Sequence, residues 1–363
     1  MTYLDYQATT PLAPEALAAM LPWLESQHAN PHSAHAEGRK AKAAVEVARD
    51  DIAALMPGGG TLSFTSGATE ALNWAIKGTT GPIVTLASEH AAVLDTVEAE
   101  ARKGRPVTVL PVGSDGLADF AAARAAIQPG TGLVAAMLVN NEIGVIQPIA
   151  QLAELAHRAG ALFLCDAVQG YGRVLIPEEC DLIAVSAHKI HGPKGVGALW
   201  IRDGITLAPL LHGGGQEPAG RSGTLSPALC AGFGAAARLA KQRFGADHAH
   251  AEQLFRAALA RVGGEWMLNG SQAERYHGNF NIRRDGLDVA RLMSDLRDIA
   301  FSAGSACASG SGRPSHVLRA IGLRDSEARS SIRIGFGRYT TEEELLAALD
   351  RIVAAARGQK VAA

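Results

Sequence analysis

From about residue 60 the chain alternates short apolar runs with longer amphipathic ones. TLSFTS, PIVTLAS, PVTVLPV, GLVAAMLV, ALFLCDAV and DLIAVSA are short, rich in apolar residues and bounded by turn formers. Runs of that length and composition predict buried strands. Between them, stretches over 69–77, 93–103, 117–127 and 149–159 carry helical spacing. Strands alternating with helices predict an α/β fold with a mainly parallel sheet covered on both faces. Ligands on such sheets bind beyond the carboxyl ends of the strands.

The flanks of this region read differently. Residues 1–14 are short, polar and turn-rich. Asn30-Pro31-His32-Ser33 is a turn signal before an amphipathic helix over 34–55. An Ala-rich helical stretch over 226–261 leads toward GNFNIRR, IAFSAG and SSIRIGFG, which read as strands of a second unit. TTEEELLAALDRIVAAAR reads as a last helix with a Thr cap and an acidic first turn. With 363 residues the chain exceeds the size at which one core stops growing. The expected division is a large domain over 15–250 and a smaller α+β domain made of 1–14 with 251–363.

Composition narrows the function classes. A chain that is 47% hydrophobic and 19% charged is ordinary globular protein, not a disordered one. Its net charge of -2 offers no overall basic field, so no nucleic-acid partner is expected. No apolar run approaches the ~20 residues that span a bilayer, so no membrane partner is expected. MTYLDYQATT lacks the basic start and apolar core of a signal peptide. Cys165, Cys180, Cys230 and Cys307 are scattered, with no C-x-x-C pair and no zinc spacing. Free thiols in a reducing cytoplasm, and no metal, are the expectation.

Several polar residues fall just after the apolar runs. SAHKIHGPKGVG follows DLIAVS and carries Lys189 on a Gly- and Pro-containing loop. A partly desolvated lysine amine condenses readily with carbonyl compounds. Thr65-Ser66-Gly67-Ala68-Thr69-Glu70 follows a strand and opens a helix, which is the form of an anion cradle and also of an ordinary capped helix start. Asp166 ends ALFLCD, where a buried carboxylate needs a partner, unless it only caps the next segment. His90 follows PIVTLAS, a position open to an acid/base or a structural role. Cys307 lies in GSACAS among small residues, which leaves a thiol free to approach a substrate and a partner. Arg333 in SSIRIGFG is a carboxylate clamp or a surface strand arginine.

These segments, in this order, resemble the class V, fold-type I enzymes that use pyridoxal phosphate (PLP), and within them the cysteine desulfurases. The resemblance rests on LDYQATTP, NPHS, FTSGATEA, SEHAAVLDT, VNNEIGVIQP, CDAVQGYG, SAHKIHGPKGVGAL, HGGGQE, RSGT, GSACAS and ARSSIRIGFGRYTTEEE. It implies a seven-stranded, mainly parallel sheet in the large domain. It implies Lys189, rather than Lys194, as the lysine that holds PLP. Ala68, Thr69, Ser186 and His188 would bind the phosphate, joined by Thr224 reaching the phosphate of the other subunit of a homodimer with shared sites. Asp166 would face the pyridine nitrogen. Gln169 and Asn141 would contact the phenolic oxygen, with Asn141 also placed for the substrate. His90 would stack on the ring and serve as an acid/base. Asn30 and Arg333 would bind substrate, Arg333 through its carboxylate. Cys307 would take sulfur from L-cysteine as a persulfide, leave L-alanine, and pass the sulfur to an acceptor protein for iron–sulfur clusters, thio-cofactors or tRNA thiolation.

The chain departs from the family pattern at three places. Ala91 stands where a lysine usually follows the histidine, and Pro218 stands where an arginine is usual. The chain stops soon after its last helix, whereas housekeeping desulfurases of this type commonly carry a further C-terminal segment that docks an iron–sulfur scaffold; this puts that partner in doubt and makes a dedicated acceptor plausible. The competing readings are another class V enzyme (a selenocysteine lyase, an aminotransferase or a β-lyase) and a non-catalytic sulfur-relay scaffold. Cys307 argues against an aminotransferase, and Lys189, Asp166, His90 and Cys307 together argue against a decayed site.

Overall fold

The alternation is realised as one seven-stranded sheet. We describe it from a computed structural model whose described residues are 1–304 and 314–359. In spatial order the strands are Gly60–Thr65, Gly197–Arg202, Leu182–Ser186, Leu162–Asp166, Leu133–Met137, Ile83–Leu86 and Val107–Leu110. Only Gly197–Arg202 runs against the others, pairing antiparallel with both its neighbours. The remaining pairs are parallel. All the carboxyl ends except that of Gly197–Arg202 therefore point to one edge.

Both faces of the sheet are apolar, and the period of two sorts the side chains between them. Leu133, Ala135, Leu164, Leu182, Ala184, Leu199 and Ile201 pack against helices Ala68–Lys77 and Ala91–Arg102. Their neighbours Val134, Ala136, Phe163, Cys165, Ile183, Val185, Ala198 and Trp200 pack on the other face. There they meet helices Ala36–Ala53, Ile149–Arg158 and the first half of Pro227–Val262. Burial on both faces is why these strands read as near-continuous apolar runs.

A second core forms around a four-stranded antiparallel sheet, in the order Ser302–Ala303, Ser331–Gly335, Asn279–Arg283 and Met267–Leu268. Helices Val289–Asp295 and Glu342–Gly358 cover it, with the last half of Pro227–Val262. Thr341 and Glu344 form a capping box at the start of the last helix. Strand Thr2–Tyr3 pairs with Ile299–Ala300, and Leu4 is buried in this second core. Residue 250, the expected domain boundary, falls inside the unbroken helix Pro227–Val262. No helix among the described residues is long and apolar enough to cross a membrane.

Candidate active site

The strand ends open onto a cavity of about 570 Å³. It draws residues from the N-terminal segment, from five loops of the large sheet and from the small sheet. Of the residues singled out above, Ala68, Thr69, His90, Asn141, Asp166, Gln169, Ser186, His188, Lys189 and Arg333 all line it. Asn30 and Thr224 do not. Asn30 is exposed and its side-chain oxygen accepts from the His32 N–H at 2.9 Å, a turn that leads into helix Ala36–Ala53. Thr224 is exposed on the loop before helix Pro227–Val262. Cys307 lies outside the described residues.

One end of the cavity is an anion cradle. Helix Ala68–Lys77 begins there, and its first N–H groups have no acceptor within the helix. Strand residue Gly197 lets this turn lie against the sheet: a Cβ there would stand 2.7 Å from Gly67 Cα and 2.5 Å from the Val185 carbonyl oxygen. Glu70 holds the turn from the other side. Its carboxylate accepts from the Ser66 N–H at 2.7 Å and from Arg221 Nε at 2.9 Å. Burial acts to raise the Glu70 carboxyl, but Arg221 and the Ser66 groups outweigh it and hold it below its usual value. Arg221→Gln would leave that carboxylate uncompensated beside an anion site. We expect cofactor affinity to fall on the order of 10-fold, read by titrating the apoprotein with PLP.

Lys189 ends the single turn Ala187–Lys189 that follows strand Leu182–Ser186. Its Nζ donates to the backbone carbonyls of Gln7 and, at 2.9 Å, Ala8. The amine is thus aimed by the N-terminal segment, at the mouth of the cavity. His188 turns its Nδ1 to Thr9 Oγ1 at 3.1 Å. Burial, then repulsion from Lys189 and Lys194, pushes His188 down to about 4, so the ring is neutral at physiological pH. Lys194 is exposed yet reaches the cavity rim.

The middle of the cavity is acidic. Asp166, at the end of its strand, accepts from the Val168 N–H at 3.0 Å and is 5% exposed. Burial pushes its carboxyl up, while His90, the Val168 N–H and Lys189 pull it down. His90 caps helix Ala91–Arg102, and its Nδ1 accepts from the Ala92 N–H at 3.0 Å. That bond leaves Nε2 as the ring's donor in the neutral tautomer. Burial is the largest influence on His90 and lowers its proton affinity. Gln169 donates one amide N–H to the Gln7 carbonyl at 2.9 Å, and its oxygen accepts from Arg173 at 2.8 Å.

Arg333 closes the far side. It is 1% exposed, on strand Ser331–Gly335. Nη2 donates to Asp5 at 2.9 Å and to Ser302 Oγ at 3.3 Å, and Nη1 donates to the Asn141 carbonyl at 3.0 Å. Nε is buried with no partner among the described residues. A buried guanidinium in the cavity wall is suited to receive a carboxylate. Arg333→Lys keeps the charge and removes the fork. We expect KM for an amino-acid substrate to rise about 10–100-fold, with the cofactor spectrum unchanged.

Asp5, Gln7 and Ser302 were not singled out in the sequence, although the segment LDYQATTP was. Their use depends on the N-terminal segment folding onto the second core, which no local pattern encodes. The described flanks of residues 305–313 are tied to segments beside the cavity. Ser302 bonds Asp5 at 2.8 Å; Ser315 Oγ bonds Glu142; His316 Nε2 lies 2.8 Å from the Glu89 carbonyl, next to His90.

Two neutral histidines, one buried and one half-buried, give the fold a pH signature. His188 is pushed down to about 4, and His191 to about 3 by burial and then by Arg338. Unfolded histidines protonate near ~6.5, so the unfolded chain binds these protons first as pH falls. Stability is therefore complete above ~6.5 and declines below it. The slope has an upper bound of about 1.4 kcal/mol per pH unit for His191, and less for the more solvated His188. Thermal midpoints between pH 7 and 4 measure it.

The family model for class-V aminotransferases matches residues 2–347. "Cysteine desulfurase IscS" of Rickettsia bellii is 43% identical over 360 residues, covering 94% of this chain and 88% of that relative. A solved NifS-like protein superposes with a TM-score of 0.90 at 31% identity, over 99% of this chain and 100% of that one. A structure of SspA in complex with cysteine gives a TM-score of 0.83 at 34% identity, over 94% of this chain and 100% of that one. The chain belongs to the class-V aminotransferase family and stands among its cysteine desulfurases. Enzymes of this group work with PLP, and the cavity fits that cofactor. It offers a lysine amine, a helix start with unclaimed N–H groups for a phosphate, and a buried carboxyl that accepts from a backbone N–H.

Proposed function

We propose that this PLP-dependent cysteine desulfurase uses Lys189 to hold its cofactor and Cys307 to receive sulfur from L-cysteine. The observation that carries the reading is convergence: Lys189, Asp166, the start of helix Ala68–Lys77 and Arg333 surround one cavity. When bound, PLP supplies an electron sink that makes the Cα–H bond of an amino acid acidic. Ala68 and Thr69, with Ser186 and His188, hold the phosphate end. Asp166 pairs with the pyridine nitrogen and keeps it protonated. His90 covers the ring, and Gln169 and Asn141 contact the phenolic side. Arg333 orients the substrate carboxylate, with Asn30 assisting. Lys189 takes the Cα proton. The thiolate of Cys307 then attacks the substrate sulfur, the carbon–sulfur bond breaks, and the carbon is reprotonated to give L-alanine. The sulfur stays on Cys307 as a persulfide until an acceptor protein removes it.

A homodimer completes this reading, because Thr224 belongs to the partner's phosphate shell. Its exposure supports that role, as do Leu17, Leu21 and Leu24, which stand exposed at helical spacing on Pro14–Glu25. The free thiols of Cys165, Cys180 and Cys230 support a cytoplasmic location. The test is to load the enzyme with sulfur-labelled L-cysteine and map the label by peptide mass. Label on Cys307 with equimolar alanine supports the reading. Turnover with no label at Cys307 defeats it.

A further inference from the structure

Behind the cavity lies a second carboxyl that the reaction above does not use. Glu89 immediately precedes His90 and is wholly buried, at 0% exposure. Its Oε1 accepts from the Met137 N–H at 2.8 Å. Met137 is the last residue of its strand and pairs directly with Asp166 on the next one. Glu89 Oε2 is buried and has no hydrogen-bond partner among the described residues. The charged neighbour that acts on it is Asp166, of like sign. Among the described residues, the other titratable groups around it are His90, the buried thiol of Cys165 and His316, whose ring meets the Glu89 carbonyl.

Two adjacent buried carboxyls do not both ionise readily. Geometry decides which keeps the proton. Asp166 faces the cavity, accepts a backbone N–H, and has His90 and Lys189 to favour its charge. Glu89 has one backbone donor and no route to solvent. An uncompensated carboxylate there would carry a large desolvation cost. We propose that Glu89 is a neutral, proton-bearing positioning residue, which confines the negative charge of this corner to Asp166. Burial, then Asp166, pushes the Glu89 carboxyl well above its usual range, and the Met137 N–H offsets this only in part. A neutral Glu89 leaves Asp166 free to pair with a cationic ring nitrogen, without a second negative charge behind it. That consequence rests on the role given to Asp166 above; the protonation of Glu89 does not.

Infrared spectra of the holoenzyme at neutral pH test it. The wild type should show the carbonyl stretch of a protonated carboxyl, and Glu89→Gln should lose that one band. The amide replaces a neutral acid of the same shape, so Glu89→Gln should also keep the cofactor's absorbance maximum and its pH midpoint. Absence of the band in the wild type, its survival in Glu89→Gln, or a shifted pH midpoint in that variant would overturn the proposal. Should Glu89→Gln fail to fold, carbon-13 labelling of glutamate in the wild type decides alone: a protonated glutamate band supports it, and none overturns it. Asp166→Asn separates the two readings, because an unchanged cofactor spectrum there removes the role of Asp166 while leaving the Glu89 band intact.

Discussion

Lys189→Ala should abolish the visible absorbance of bound cofactor and lower turnover by at least ~10³-fold, the upper part of the range for losing a positioned base. In the proposed mechanism the amine has two roles, holding the aldehyde and moving the Cα proton, and no other described lysine shares its position. Gln7 and Ala8 aim it through their carbonyls. Lys194 supplies the internal control. It reaches the same rim but is exposed. Lys194→Ala should keep the absorbance and most of the activity. Reversal of those two outcomes would move the covalent site from one lysine to the other.

Cys307→Ser should behave in the opposite sense. Cofactor absorbance and substrate binding should survive, because Lys189, Asp166 and Arg333 are untouched. Alanine formation from L-cysteine should fall on the order of 10³-fold, as for loss of a catalytic nucleophile. A serine hydroxyl is not ionised near neutral pH and attacks sulfur poorly, whereas a thiol with a free value of ~8.5 needs only modest activation. The measurements are alanine release and persulfide on the peptide carrying residue 307. Full desulfurase activity in this variant would remove Cys307 from the mechanism.

Most of the large sheet was legible because its strands are buried on both faces and its helices are amphipathic. Five of the six apolar runs marked a strand end facing the cavity, the exception being PVTVLPV. Gly197–Arg202 escaped notice because it follows the lysine motif so closely that GVGAL read as part of that loop. Helix Pro14–Glu25 escaped because Leu17, Leu21 and Leu24 face solvent and Pro22 interrupts its spacing. Asn30 and Thr224 entered through family resemblance alone, and a single chain holds neither at the cavity. Glu89 was visible only as the spacer before His90. Its burial depends on the neighbouring strand of Met137 and Asp166, a contact between distant segments.

Helix Pro227–Val262 runs for 36 residues, or about 54 Å. Cys230, Phe233, Ala236 and Ala240 seat its beginning in one core, while Leu254, Phe255, Ala258 and Val262 seat its end in the other. It acts as a common axle. Because one rigid element is seated at both hubs, we expect the two lobes to share one melting event, read as a single calorimetric transition.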